Sequence, residues 1–425
     1  MVPANKATRI LSLVARRRVA VGQQQQWRGL SSSQPPPHKS LLRFDMMTGT
    51  WVVYSSGRKN RPHQTESSPT KIHLAQLPRT VAACPFCKGN EHLTPTAKLF
   101  HNEMRVVPNL YPAVAPLRVE EKHEHHMPFL LNDGFLTNNE VPAVGFHEVV
   151  IESPYHNDHI ATSPDNHMAR DLLQVFRYRG REHREYEDIE HTVYFKNHGS
   201  TAGASLIHPH SQIVSTPVVP VEAERLQSLA WQYFKTHRTN MYQRILEEEL
   251  ALHNNQHPTE EAAVVGQPRR GKSRVVEVSD NFVALVPFAS PGPYVILILP
   301  NFHASGLEQQ AQYGAGVDSS DFTTMSDDLI EECAAVLKSC LHRLHVHCRE
   351  PDFNLVVQTA PVPKRGVQAA LHSAAIFRWH IRITPRLGAG AMAGFELGSG
   401  LFSNSNMPEE DAQELRDVAP LMKDQ

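Results

Sequence analysis

Little in the chain marks it for an oxidising, membrane-spanning or nucleic-acid-bound setting. It has only five cysteines in 425 residues, an odd number with one close Cys-x-x-Cys pair, which argues for a reducing compartment and against a disulfide framework. No stretch approaches the roughly 20 consecutive apolar residues of a membrane span. Neither charge is in excess: 42 Lys and Arg stand against 44 Asp and Glu, a formal net charge of −2. The chain as a whole therefore has no attraction to nucleic acid or acidic lipid. What remains, 40% hydrophobic and 20% charged residues, is the composition of a soluble globular protein. At about 150 residues per domain the length accommodates two or three.

Acidic residues are also missing locally. Segment 1–36 has none, but carries Lys6, Arg9, Arg16, Arg17, Arg18 and Arg28 with several serines. It reads as an organelle transit peptide, mitochondrial if Arg28-Gly-Leu-Ser31 is a processing site and cleavage follows Leu30. A plastid address or an untargeted basic tail are the alternatives.

The most informative stretch is Asn197 to Gln212, Asn-His-Gly-Ser-Thr-Ala-Gly-Ala-Ser-Leu-Ile-His-Pro-His-Ser-Gln. Glycines such as Gly199 and Gly203, with Ser205, let backbone approach a phosphate. If His208 to Gln212 is extended, the period of two aims His208, His210 and Gln212 at one face. A neutral imidazole is a competent nucleophile near pH 7 without a separate base.

Elsewhere, Cys84-Pro-Phe-Cys87 in a loop-like, Pro-rich context reads as half of a tetrahedral zinc site, with a redox Cys-x-x-Cys, more often found at a helix start after a strand, as the alternative. Spacing leaves His101, His147, His156, His159 and His208 all eligible to complete it. Arg58 and Arg61 follow a strand expected around Trp51, after a turn at Thr48-Gly49, and their guanidinium forks suit phosphate; a solvated surface pair is the alternative. Cys333, Cys340 and Cys348 read as small apolar residues in or beside a helix.

Further elements follow from periodicity. A strand over Gly145–Ser153 precedes a helix with Asp165 as its N-cap candidate and Met168, Leu172, Leu173 and Phe176 on its apolar face. A strand over Thr192–Phe195 leads to the histidines. The same plan recurs as a strand over Tyr294–His303, a helix over Asp327–His345, a strand over Phe353–Gln358 and a strand over Phe377–Pro385. Glu222–Leu252 is expected helical, Asn254–Ser273 a polar linker, and Val114–Val144 an inserted surface loop.

The His-Pro-His-Ser-Gln stretch with its Asn-His-Gly and Ala-Gly-Ala-Ser lead-in resembles the active-site motif of the galactose-1-phosphate uridylyltransferase family, the transferase branch of the histidine-triad superfamily, which includes plant ADP-glucose phosphorylases. The resemblance covers most of the chain. It implies an α+β fold of two tandem histidine-triad-like repeats, antiparallel sheets with helices packed on one face. It divides the chain into the segment 1–36, an N-terminal domain 37–220, a helical connection 221–273 and a C-terminal domain 274–425.

The resemblance also assigns residues. Cys84, Cys87, His156 (in Ser153-Pro-Tyr-His) and His208 would share one Zn(2+) per chain. His210 would be the nucleophile, with Gln212 and Ser205 assisting; Arg58, Arg61, Asn109 (in Asn-Leu-Tyr-Pro-Ala113), Asn197 and Gly203 would bind the nucleotide. Phe395 and Glu396 of Gly394-Phe-Glu-Leu-Gly-Ser-Gly would contact sugar in the active site of a partner subunit, making the protein a homodimer. Many relatives have a second metal site, but Asn240-Met-Tyr-Gln243, Asn281 and Arg378 stand at those positions, so one metal is expected.

The implied reaction is ping-pong nucleotidyl transfer between a nucleoside diphosphate sugar and a sugar 1-phosphate. UDP-glucose:galactose-1-phosphate uridylyl transfer is the first expectation and phosphorolysis of ADP-glucose the alternative. An inactive nucleotide-binding module is a third reading. Neither nucleic acid nor membrane is an expected partner.

Overall fold

The computed structural model describes residues 41–54, 73–116, 143–254, 272–302, 318–362, 376–387 and 394–419. The basic segment 1–36, Arg58 and Arg61, most of the expected inserted loop and most of the polar linker lie outside these residues.

Among the described residues the strands are β1 (Leu41–Asp45), β2 (Thr50–Tyr54), β3 (Lys98–Leu99), β4 (Arg105–Pro108), β5 (Ala115–Pro116), β6 (Val144–Ile151), β7 (His191–His198), β8 (His210–Thr216), β9 (Val275–Val278), β10 (Phe282–Leu285), β11 (Ile296–Pro300), β12 (Phe353–Gln358), β13 (His380–Pro385) and β14 (Phe402–Asn404). The α-helices are α1 (His167–His183), α2 (Val221–His237), α3 (Met241–His253), α4 (Asp327–His347), α5 (Gly394–Ser399) and α6 (Pro408–Arg416). The architecture is α+β.

One large sheet has the order β3-β4-β6-β8-β7-β12-β13-β11-β10-β9, antiparallel throughout, with β5 alongside β6 in parallel. From β4 to β10 the order reads alike from both ends. Each side contributes, in chain order, two strands, a helix and two strands. The sides meet where β7 pairs with β12, with Phe195 opposite Val356 at the centre. A smaller sheet, β1-β2-β14, carries the expected Trp51 strand, and Gly49 supplies the left-handed turn before it at φ 63°.

Alternation along the strands separates two faces. Val150, Tyr194, Ile213, Ile298, Leu355 and Ile381 point to one face, under α1 and α4 through Leu172, Phe176, Ile330 and Leu337. Each such side chain contributes about 1.5–3 kcal/mol on burial. Cys333 and Cys340 lie in this core as small apolar residues, both fully buried. On the opposite face, Val283, Leu285, Leu297 and Leu299 of the second half pack under Leu226 and Ala230 of α2 and Tyr242 and Leu246 of α3. Helices over the strands therefore occupy one face as expected, and the connecting helices add cover to the other face of the second half. The corresponding face of the first half carries no helix among the described residues; the Cys84–Cys87 loop and the histidines lie there.

The helix ends explain two local differences. Helix α1 has Asn166 as its N-cap, one residue beyond the expected Asp165; Asn166 makes no side-chain cap bond and donates its Nδ2 to Glu331, while the Asp165 carboxylate accepts the His167 N–H at 3.1 Å. The single helical stretch expected over Glu222–Leu252 is two helices. The chain turns at Arg238 (φ 56°), and the Asn240 side chain caps α3 by accepting the Tyr242 and Gln243 N–H groups.

Candidate functional site

Four donors converge beside β8. One ligand atom each from Cys84, Cys87, His156 and His208 lies within 4.8 Å of the others, and all four residues are buried. Cys84 Sγ is 3.7 Å from His208 Nδ1, and Cys87 Sγ is 3.6 Å from both His156 Nδ1 and His208 Nδ1. A tetrahedral ion with sulfur at about 2.3 Å and nitrogen at about 2.0–2.1 Å requires sulfur–nitrogen edges of about 3.5 Å. These three sulfur–nitrogen distances match such an edge to within about 0.2 Å, and the donor set fits a metal ion.

Their support is equally specific. His208 Nε2 donates to the Ser153 carbonyl at 2.8 Å, which leaves Nδ1 as the lone pair facing the thiols. Burial pushes the His208 imidazole down to about 4, so it is neutral and ligand-ready at pH 7. Cys87 Sγ accepts the Val81 N–H at 3.3 Å, and the His156 N–H is anchored on the Arg79 carbonyl at 2.7 Å. Among the other histidines that spacing left eligible, His147 and His159 point elsewhere: His147 bonds Gln212, and His159 lies in a ring cluster with His198. His101 caps no metal group among the described residues.

Two residues on, His210 begins the β8 ladder. His208 stays outside it because Pro209 has no N–H to offer β6, although its carbonyl accepts from Glu152 N at 3.1 Å. The expected face is thus shared by His210 and Gln212, while His208 turns to the Cys84–Cys87 loop. His210 Nδ1 lies 2.8 Å from the His208 carbonyl, which can only accept. The proton is on Nδ1, and Nε2 is the basic nitrogen with no partner among the described residues. Burial pushes this imidazole below its ordinary value. Phe86 packs edge-on against both rings, with centroids 5.9 Å from His208 and 5.6 Å from His210.

On the helix side of the same strands, buried Lys196 bonds Glu152 Oε1 at 2.8 Å and reaches the His210 carbonyl at 3.3 Å, while Ser211 Oγ donates to the same Glu152 oxygen. This pair lies behind the histidine strand. Neither residue was singled out by the sequence, where a lysine among β-formers carries no signal.

The glycine loop is braced from the second half. Gly199 (φ 84°, ψ 160°) and Gly203 (φ 88°) enclose a short 3-10 turn. Asp352 accepts from Thr201 N at 2.9 Å and Thr201 Oγ1 at 2.7 Å, and Asn354 Nδ2 donates to Asn197 Oδ1 and the Ala202 carbonyl, both at 2.8 Å. Ser205 is exposed beyond this turn. Asn109 and Gln212 meet around His147, at 3.0 and 2.8 Å from its Nε2. The structure thus brings His210, Gln212, Asn197, Gly203 and Asn109 to the uncovered side of the first half's strands. Arg58 and Arg61 lie outside the described residues.

Phe395 and Glu396 are on α5, which packs on β14, and Phe395 is 44% exposed. At the positions from which the resemblance implies no second metal site, Arg378 donates to Gln243 Oε1 at 2.6 Å and to the Pro300 carbonyl at 2.5 Å. Asn281 is held by Glu332. A buried guanidinium therefore ties α3 to β11 there.

Residues 33–220 match the family profile described as galactose-1-phosphate uridyl transferase, N-terminal domain. The chain is similar to the ADP-glucose phosphorylase of Arabidopsis thaliana, 27% identical over 387 residues that cover 89% of this chain and 93% of that protein. It is similar to the galactose-1-phosphate uridylyltransferase of Thermotoga maritima, 26% identical over 382 residues, with 89% and 98% covered. Its fold superimposes on an ADP-glucose phosphorylase from Arabidopsis thaliana with bound ADP-glucose at a TM-score of 0.65 and 25% identity, covering 90% of this chain and 99% of that one.

Proposed function

We propose, for a chain that belongs to the galactose-1-phosphate uridylyltransferase family through residues 33–220, a nucleotidyltransferase acting on nucleoside diphosphate sugars by double displacement. The observation that carries this reading is the fixed tautomer of His210: Nδ1–H is held by the His208 carbonyl and Nε2 is left basic beside a glycine turn. His210 Nε2 attacks the α-phosphorus, the N–P bond forms as the bond to the bridging oxygen breaks, and the sugar 1-phosphate leaves with that bond's electrons. The Nδ1 proton stays on the His210 ring, donated as a hydrogen bond to the His208 carbonyl. A phosphate oxygen of the second substrate then displaces His210 and takes the nucleotide.

Gln212 and Asn197 are the donors to the non-bridging oxygens, with Ser205, Arg58 and Arg61 assisting. Asn109 and Gly203 line the nucleotide. The metal is zinc, one per chain, held by Cys84, Cys87, His156 and His208, whose two thiols and two imidazoles suit it. Its contribution is structural: it fixes His208, and through the His208 carbonyl, the His210 ring.

Uridylyl transfer between hexose 1-phosphates is the first reading of the substrate, on the His-Pro-His form of the motif. Phosphorolysis of ADP-glucose is the second, favoured by similarity along 89% of the chain to the Arabidopsis phosphorylase. Phe395 and Glu396 are read as sugar contacts reaching a partner copy in a homodimer, and segment 1–36 as a mitochondrial address. Incubation with UDP-glucose or ADP-glucose labelled at the α-phosphate tests the core. Acid-labile label on the wild-type protein and none on His210→Ala is expected; label retained by His210→Ala, or from neither nucleotide, overturns it.

A further inference from the structure

The reading just given needs Gln212 to present its amide N–H groups, not its carbonyl, to the phosphoryl oxygens. A side-chain amide in a polar pocket can turn either way, so something must set its direction. The backbone does so through an imidazole. Ala113 N–H lies 2.8 Å from His147 Nδ1, and a peptide N–H can only donate, so Nδ1 is the acceptor nitrogen. The proton of the neutral ring is then on Nε2, which is 2.8 Å from Gln212 Oε1. That contact directs the Gln212 oxygen at His147 and its NH2 group away from the ring, on the same face of β8 as His210.

Asn109 does not compete for this bond. Its Oδ1 accepts the Tyr111 N–H at 2.8 Å, so its Nδ2, 3.0 Å from His147 Nε2, faces the ring N–H as another donor; it cannot accept the ring proton and makes no hydrogen bond with that nitrogen. The other amide at the site is set in the same manner. Arg386 Nε, a donor only, bonds Asn354 Oδ1 at 2.5 Å, so Asn354 must present Nδ2 to Asn197 Oδ1. The Asn197 NH2 group is left towards the glycine turn, 3.7 Å from where a Cβ on Gly203 would lie. Two amides thus end two donor relays, each started by a group that cannot reverse: a peptide N–H in one, a guanidinium in the other.

We propose that His147 is a positioning residue for nucleotidyl transfer, holding Gln212 with its donors turned to the reacting phosphoryl group. The proposal rests on the double-displacement reading. His147 touches no reacting atom; it acts through Gln212 alone. Without its Nε2–H, Gln212 can turn its oxygen to an anionic phosphoryl group, which repels it, and one transition-state donor is lost for much of the time.

The test is the single-turnover rate at which α-labelled nucleoside diphosphate sugar labels the protein, for wild type, His147→Ala, His147→Gln, Gln212→Ala and the double variant His147→Ala/Gln212→Ala, with metal content measured in each. Labelled wild type establishes the underlying reading; unlabelled wild type sinks that reading, and this one with it. Given labelling, His147→Ala should slow it about 10- to 100-fold with little change in the half-saturating substrate concentration, the size of losing one transition-state donor or part of it. His147→Gln, whose amide N–H can reach Gln212 Oε1, should recover most of the rate. In the Gln212→Ala background, His147→Ala should change the rate less than about 2-fold.

An unchanged rate in His147→Ala, or an equal slowing with and without Gln212, refutes the positioning role while leaving the reaction standing. If His147→Ala does not fold with its metal, His147→Gln decides: labelling near the wild-type rate supports the role, and a folded, metal-bearing but slow His147→Gln overturns it.

Discussion

Gly199 joins the β7 strand to the glycine turn, and its replacement by alanine tests whether the turn is built against the second half. At φ 84° and ψ 160° the residue is in a region essentially reserved for glycine, and a side chain there costs about 1–3 kcal/mol. A Cβ would also lie 2.0 Å from both Cγ and Oδ1 of Asp352. The carboxylate must move, and with it go its bonds to Thr201 N and Oγ1. Bonds to a charged acceptor contribute about 1.5–3 kcal/mol each, discounted here because Thr201 is exposed and water replaces part of the loss.

The sum is about 3–5 kcal/mol, read as the difference in urea unfolding free energy between wild type and Gly199→Ala. Asp352→Ala separates the terms. In that background the overlap and the carboxylate bonds are gone, so Gly199→Ala should cost only the backbone strain of about 1–3 kcal/mol. A cost below about 1 kcal/mol in the wild-type background, or an equal cost in both, would refute the argument.

Removal of the metal by chelation, or Cys87→Ser, should abolish labelling of His210 and lower the melting temperature, with close to one equivalent of zinc in the untreated protein by elemental analysis; full labelling by metal-free protein would contradict the anchoring role of His208. Lys196→Met should cost about 3–5 kcal/mol in denaturant unfolding because Glu152 is left buried and unpaired, while Lys196→Met/Glu152→Leu should recover most of it; a double variant no better than the single one would count against the pairing.

Glu148 gives a pH dependence. Burial alone raises this carboxyl, but His183 and the two bonds from Arg179, at 2.7 and 2.5 Å, hold it down to about 2. Its folded value lies below the unfolded value of about 4.3, so its stabilisation is complete above that pH and is lost as pH falls from there through about 2. The loss is on the order of 2–3 kcal/mol across that window. Glu148→Gln should flatten this part of the stability–pH curve, and an unchanged slope would rule the carboxyl out as its source.

What the sequence disclosed and what it concealed divide along chain distance. The period of two in His210-Ser-Gln212 correctly placed both side chains on one face, since neighbours two apart in a strand share a face whatever surrounds them. The Cys84–Cys87 spacing declared half a metal site, but the histidines joining it come from 69 and 121 residues further on from Cys87. Spacing could not choose among five candidates, and family resemblance could. His147 was among them, and its bond to Gln212 crosses from β6 to β8, a relation set by strand register and by a peptide N–H in the loop after Asn109. No local pattern encodes that.

The cover over the second half was likewise hidden. The stretch Glu222–Leu252 reads from sequence only as a helical connection, and only the sheet shows which residues of α2 and α3 meet Val283 and Leu297. Asp165 looked like a cap because it precedes an apolar run; its carboxylate accepts the His167 N–H, but the N-cap is Asn166, a residue later.

The seam between β7 and β12 has a consequence for any attempt to divide the chain. Severing the protein in the segment after α3 would strip β7 of its neighbour and leave a row of unanswered peptide groups from Tyr194 to His198 along a raw edge. The severed portion would recruit another strand, from a second copy or an aggregate, and Asn197 would lose the Asn354 amide that sets its direction. The portion that carries His210 therefore needs its counterpart as the other half of its own wall.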